Sequence, residues 1–290
     1  MIVGAFDEGP GIGLGHRRRV EGIQRELAGF GIGCELREIA SAPVEGDIVL
    51  VDSYRVRGDD RSRIVANQVI AIDDLERDLD VDLVIDPDPG ADERVHERAH
   101  EVLAGATYAI VDAGLRSFAV MPARQTVRRV LVTTGAADDE GIGARLACEL
   151  ADALPDARIR LVVGPWGRGT DDPRVDIVVA PQGLAAELAA ADLVVTAGGV
   201  SMLEACCLGR PTVAFSIGEG QGRALAGAAL VGAVLAADRA TAAGIAARLA
   251  GDYGARRRLS GSARALIDGQ GALRAAAVIA SMSRHGIHAR

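Results

Sequence analysis

The residues best equipped for chemistry stand in one short stretch, Gly9-Pro-Gly-Ile-Gly-Leu-Gly-His16, with Arg17, Arg18 and Arg19 directly after it. An apolar run, Met1 to Phe6, precedes the stretch. A segment with Val20, Ile23 and Leu27 in helical spacing follows it, from Arg17 to Phe30. A strand, a glycine-rich turn and a helix start form an anion site, because backbone N–H groups and the helix dipole converge there. Glycines let the backbone approach a ligand and take positive φ. The imidazole at the exit adds a group suited to proton transfer near neutral pH. Two other readings fit the same residues. One is a dinucleotide loop, G-x-G-x-x-G with an acid about 20 residues on. Here Gly11, Gly13 and Gly15 alternate instead, and Glu35 or Glu38 takes the acid's place. The other is a tight turn carrying a surface histidine.

A second set of candidates is acidic. Asp47-Ile-Val-Leu-Val-Asp52 reads as a strand ending in a carboxylate, followed by Ser53 and Tyr54. Val69 to Ile72 ends in Asp73-Asp74, and Val81 to Ile85 ends in Asp86. In open α/β sheets ligands bind outside the carboxyl ends of strands, on the side where these aspartates and the Gly13–His16 loop would lie. Turn chemistry or helix capping explains any single one of them equally well. A third set is Ala197-Gly-Gly-Val-Ser-Met-Leu-Glu204. Gly198 and Gly199 would open a helix whose amides hold a diphosphate, and Ser201 would cap it or donate to a phosphate oxygen. Glu204 has capping-box spacing from Ser201, or else reaches a ribose. Gln221 opens a further helix, where it donates to a ligand or sits in solvent.

His96-Glu-Arg-Ala-His100 matches the H-E-x-x-H zinc pattern. Asp92, Glu93, Arg94, Glu97, Arg98 and Glu101 surround it, which reads as a solvated helix without a third ligand rather than a metal site.

These groups need a scaffold. The chain has 290 residues, enough for two ordinary domains. It is 49% hydrophobic but 3% aromatic, with 36 glycines, as expected for helices packed on parallel strands. A net charge of −8 argues against non-specific nucleic-acid binding, while Arg17 to Arg19 leave room for a local basic pocket. The four cysteines, Cys34, Cys148, Cys206 and Cys207, lack zinc spacing. The adjacent pair reads as helix packing, and a reducing cytoplasm is the expected location. Met1 leads into a strand with no basic n-region of a signal peptide, and the longest uncharged run, Ala224 to Ala237, is too short to span a bilayer.

Strands are also expected at Cys34 to Ile39 and Tyr108 to Val111, with a polar helix around Arg61 to Asn67. Met121 to Arg128 reads as a linker. The pattern then restarts: a strand from Arg129 to Thr134 with Gly135 after it, a helix from Ile142 to Leu154, and a strand from Arg158 to Val163 with Gly164 after it. Strands follow at Val175 to Val179, Leu193 to Thr196 and Thr212 to Phe215. A helix runs to Leu230, and Ala/Arg-rich helices fill Thr241 to Leu266 and Gln270 to Ser283. Two α/β units are therefore expected, residues 1–122 and 129–290, with the last helix a candidate to pack back on the first. The ligand site is expected in the cleft between them.

Taken together, these motifs resemble a family. Gly13-Leu-Gly15-His16-x-x-Arg19 resembles the G-x-G-H-x-x-R loop of GT-B enzymes related to the UDP-sugar hydrolase PseG and the glycosyltransferase MurG. Asp192 to Glu204, with Leu208-Gly-Arg-Pro211, is similar to their C-terminal A-G-G-S-T-x-x-E signature. Asp52-Ser-Tyr54 and Ile72-Asp-Asp74 are similar to elements of the PseG-like branch. The resemblance implies a GT-B fold of two Rossmann-like α/β domains and a UDP-type sugar as substrate. Gly198, Gly199, Val200 and Ser201 would hold the diphosphate and Glu204 the ribose. Gln221 would contact sugar or phosphate. Gly135, Gly164 and Ala180 to Gln182 would frame the nucleotide. Gly13, Gly15, Arg19 and Tyr54 would line the first domain's side, with His16, aided by Asp52 or Asp73, as the proton-handling residue. Departures fall on the donor contacts: Gly198-Gly-Val-Ser201 replaces G-G-S-T, Gly135-Ala-Ala-Asp138 replaces G-G-x-D, and Gly220 replaces the Asn of an N-Q pair.

The reaction implied is cleavage of the anomeric C–O bond of a nucleotide sugar. Water as nucleophile makes a PseG-like hydrolase, and a small acceptor, as in antibiotic or polysaccharide biosynthesis, makes a glycosyltransferase. A nucleotide-sugar-binding protein without turnover is the non-enzymatic alternative. The residues call for no cofactor or metal, and neither nucleic acid nor membrane insertion is expected.

Overall fold

A computed structural model describes residues 1–39, 43–118, 122–136, 138, 140–179, 183–218 and 220–287. The chain divides into two compact units. The first comprises Met1–Glu8, Leu14–Ala113 and the segment from Gly269 onward; the second comprises Gly9–Gly13 and Gly114–Asp268.

In the first unit β1 (Ile2–Phe6) leads through the glycine loop to α1 (Gly15–Gly29). Then come β2 (Cys34–Glu38), β3 (Val44–Asp52), β4 (Ile64–Ile72), β5 (Leu83–Asp86) and β6 (Glu101–Ala104). They form a six-stranded sheet in the order β2-β1-β3-β4-β5-β6, parallel throughout. Alternating strand residues divide between two cores. Ile48, Leu50, Ile70, Ile72, Leu83 and Ile85 face the helix side, with Val20, Ile23 and Leu27 of α1. Val3, Val49, Val51, Val69 and Val84 face the other way, against Val56, Leu79 and Val81 of the connecting loops. Full burial stabilises each such side chain by about 1.5–3 kcal/mol.

In the second unit β7 (Arg129–Thr133), α2 (Ile142–Ala153), β8 (Arg158–Val163), β9 (Val175–Val179), α3 (Ala185–Ala190) and β10 (Leu193–Ala197) follow one another. After them come α4 (Val200–Cys207), β11 (Thr212–Phe215), α5 (Gln221–Leu230), β12 (Leu235–Ala236), α6 (Ala242–Gly251) and α7 (Tyr253–Leu266). The sheet order is β12-β11-β10-β7-β8-β9, again parallel. Read from its own first strand this is the Rossmann order, which reverses direction between β7 and β10. The final helix, α8 (Gly271–Ile287), belongs to the first unit. Its Ala272, Ala275, Ala276, Ile279 and Ala280 complete that unit's helix-side core.

Three expectations change. Residues 61–63 form a turn, and β4 already begins at Ile64, so the polar segment is strand rather than helix. Its polarity follows from alternation: Ile64 is buried while Val65 and Asn67 face solvent. The segment around His96 is not a solvated helix. A short 3-10 turn, Glu93–Val95, precedes β6, and its histidines part company: His96 is buried against Asp86, while His100 is exposed. Tyr108 ends a 3-10 turn and no strand follows to Val111. Met121, at the start of the expected linker, and Ala180 to Gln182 lie outside the described residues. None of the described helices is long and apolar enough to cross a membrane.

Candidate functional site

In the first unit the parallel strands bring their acidic ends to one edge. Asp7 follows β1, Asp52 ends β3, Asp73 and Asp74 follow β4, and Asp86 ends β5; all are buried. The sheet order reverses between β1 and β3, and the crevice at such a reversal is where α/β sheets bind ligands. His16, second residue of α1, sits beside that edge and is only 4% exposed. Its Nε2 lies 3.9 Å from Asp52 Oδ1, and its Nδ1 has no hydrogen-bond partner among the described residues. The Tyr54 ring stands edge-on to the imidazole, centroids 4.3 Å apart. Burial lowers the His16 pKa below 6.5; Asp52 pulls against it, and the nearby Arg19 charge adds to it. The imidazole is therefore neutral at pH 7, with a lone pair to offer.

Arg19, one turn along α1, is also buried. Its Nε donates to Asp52 Oδ2 at 2.7 Å and its Nη2 to Asp52 Oδ1 at 2.8 Å, while its Nη1 donates to Asp74 Oδ2 at 2.5 Å. Burial alone would lower the pKa of this guanidinium, but the two carboxylates outweigh it and raise the value well above the ordinary one. Asp74 is held below its ordinary value for the matching reason: Arg19 outweighs its burial. The Tyr54 ring is partly exposed, yet desolvation at its hydroxyl end and the Asp74 carboxylate beside it keep the phenol protonated.

Asp73 is engaged elsewhere. Arg77 Nε donates to its Oδ1 at 2.5 Å and the Arg77 amide to its Oδ2 at 2.8 Å, which ties the loop after β4. Ser53 donates to Asp7 at 2.5 Å and accepts from the amides of Arg55 and Val56, fixing the turn that carries Tyr54. The expected basic pocket is largely neutralised, because Arg17 is paired with Glu8 and Glu21 and Arg19 with its aspartates. The glycine stretch itself divides: Gly13, at φ +84°, belongs to the second unit, and Gly15 with His16 to the first.

In the second unit the groups at the strand ends are mostly backbone. Gly199 is the N-cap of α4 and, as a glycine, offers that helix no capping side chain; Val200 and Ser201 are its first residues. The capping-box reading of Ser201 and Glu204 is therefore corrected, since the cap position falls on Gly199 and Glu204 lies buried a full turn inside the helix. Gln221 begins α5, and its Oε1 accepts the Ile217 amide at 3.0 Å. Its Nε2 lies close to Gly199, 3.6 Å from where a Cβ there would stand. Gly198 donates its amide to Phe215 O. Gly135 follows β7, and Gly164, after β8, packs against Ala136 of the loop after β7. A Cβ at Gly164 would fall 2.3 Å from Ala136 Cα, so only glycine fits. Asp138 accepts from Thr134 and from the Ile142 and Gly143 amides, capping α2.

The carboxylate-to-arginine bonds and the Asp86–His96 contact, at 3.2 Å, are what reading the chain alone missed. The signal available was the repeated acid at strand ends, which shows where carboxylates gather but not which cation each one takes.

No sequence family and no curated protein sequence matches the chain. Solved structures do. Spinosyn rhamnosyltransferase SpnG, complexed with thymidine diphosphate, is 16% identical over 98% of this chain and 100% of its own, with a TM-score of 0.65. The calicheamicin glycosyltransferase CalG4 is 16% identical over 100% and 99%, with a TM-score of 0.62. The UDP-GlcNAc 2-epimerase from Neisseria meningitidis, bound to UDP-GlcNAc, is 12% identical over 96% and 99%, with a TM-score of 0.61. What these likenesses establish is architecture: the chain has the GT-B fold, built of two Rossmann-like α/β domains.

Proposed function

We propose that the protein is a nucleotide-sugar enzyme that cleaves the anomeric C–O bond of a UDP-type sugar, with His16 as general base. The observation that carries this reading is a buried, neutral imidazole with one unpartnered nitrogen and a carboxylate 3.9 Å from the other. In the reaction the nucleophile's oxygen bonds to the anomeric carbon while its proton passes to the free nitrogen of His16. The bond to the diphosphate breaks, and its electron pair leaves on the phosphate oxygen. Asp52 faces the imidazolium that forms and stabilises it through space. Asp73, already engaged by Arg77, is the weaker candidate for that role. The N-terminal amides of α4, which begins at a glycine cap, suit a diphosphate, with Glu204 and Gln221 nearby for the nucleoside and sugar.

Water is the nucleophile we favour. Asp52, Tyr54 and Asp74 belong to the sequence elements that resemble the PseG-like branch, and all three gather around His16. Transfer to a small acceptor is the second reading, supported by the glycosyltransferases among the similar folds. Incubation with a panel of UDP- and TDP-sugars tests both. Free sugar released without acceptor supports hydrolysis, and turnover only after an acceptor is added supports transfer. UDP should raise the melting temperature and NAD should not. UDP binding with no turnover of any sugar, with or without acceptors, overturns the enzyme reading in favour of a binding protein.

A further inference from the structure

We infer that Arg19 is a positioning residue, which holds Asp52 in two-point register beside His16 and uses Asp74 as its own anchor. This assignment differs from the substrate-lining role that the G-x-G-H-x-x-R resemblance implies for it, and it rests on the reading of His16 as the base. Three of the guanidinium nitrogens donate to carboxylates at 2.5–2.8 Å, and the side chain is 7% exposed. A planar fork that binds a carboxylate through two parallel bonds fixes its orientation as well as its charge. Both Asp52 oxygens are thereby turned to Arg19, and the imidazole faces Oδ1 across 3.9 Å rather than through a hydrogen bond. Asp52 thus acts on His16 as a fixed charge. Asp74 provides the second tether, on a neighbouring strand end. Helix α1 and the ends of β3 and β4 are locked together through this one side chain.

The groups that face His16 are Arg19 from its own helix, Asp7 after β1, Asp52 and Tyr54 at the end of β3, and Asp74 after β4. Arg19 is the one cation in this set, so removing it leaves His16 among carboxylates alone and favours its protonated form.

An NMR titration of the His16 ring reads this directly, assigned by the signal lost in His16→Asn. The His16 midpoint should move up in Arg19→Gln, and less in Arg19→Lys, which keeps the charge but not the fork. It should move down in Asp74→Asn, which removes a negative charge and leaves the Arg19–Asp52 pair in place. Equal midpoints in wild type and all folded variants overturn the inference. If Arg19→Gln does not fold, the opposite shifts of Arg19→Lys and Asp74→Asn decide it, and their coincidence with wild type overturns it. Weakened UDP binding in Arg19→Lys with an unmoved midpoint would instead make Arg19 a ligand contact. The titration needs no turnover. Shifts as stated in a protein that consumes no nucleotide sugar would refute the proposed function and leave the positioning role standing; turnover with unmoved midpoints would do the reverse.

Discussion

The two sheets share a parallel, Rossmann-like construction, yet their carboxyl edges are furnished in opposite ways. In the first unit the edge is made of side chains: Asp7, Asp52, Asp73, Asp74 and Asp86 are buried and met by Ser53, Arg19, Arg77 and His96. In the second it is largely main chain, with glycine at the N-caps of α2, α4 and α5, although Asp138 reaches back to the first amides of α2. One fold thus carries two kinds of strand-end edge. Side chains in a low-dielectric setting are suited to tuning a proton acceptor, and half-buried amides at a helix start are suited to an anion.

Substitutions can break this contrast. The largest effect is expected for His16→Ala, which should lower kcat by about 10²–10⁴-fold while UDP affinity, measured by calorimetry, stays within about twofold. A parallel fall in UDP affinity would mean that the two edges do not divide the work. Next is Arg77→Ala, which leaves the buried Asp73 carboxylate without its cation and should cost about 3–5 kcal/mol in urea unfolding. A cost under about 1 kcal/mol would show that these pairs do not organise the first edge.

A pH series sharpens the comparison. The rate should fall about tenfold per pH unit below the His16 pKa, which burial places under 6.5, because the protonated ring cannot accept a proton. Stability follows the same sign. The unfolded chain takes up this proton more readily than the folded one. His16 therefore leaves stability unchanged above 6.5 and reduces it as pH falls from 6.5 through the folded value. His16→Asn should remove that component from urea midpoints recorded across the range. The smallest effect belongs to the second edge: Ser201→Ala should change stability by less than about 0.5 kcal/mol, since Ser201 lies inside α4 and Gly199 holds the cap position. A loss near 1 kcal/mol, typical of a deleted cap, would restore the capping reading.

Most of the scaffold was legible because parallel strands buried on both faces leave continuous apolar runs, as in Asp47 to Asp52 and Leu193 to Ala197. Legibility failed where a strand extends past the core. The first residues of β4 alternate toward solvent and look helical in composition, and β6 hides behind charged turns. At the site, His16 and the strand-end acids could be found from residue type and position. Asp73 and Asp74 could not be told apart, since adjacent residues take different partners, Arg77 for one and Arg19 for the other. That choice is made by three-dimensional packing between strand ends and α1, on which sequence spacing is silent.

The return of α8 to the first unit has a consequence for how the protein is made. Residues from Gly114 to Asp268 contain every strand of the second sheet and can begin folding as soon as they leave the ribosome. The earlier-made unit must wait, its helix-side core open at the places of Ala272, Ala275, Ala276 and Ile279, until the final stretch arrives. The half synthesised first is thus the half completed last, and a chain stopped near residue 268 would leave that half with a greasy, uncovered wall for chaperones to recognise.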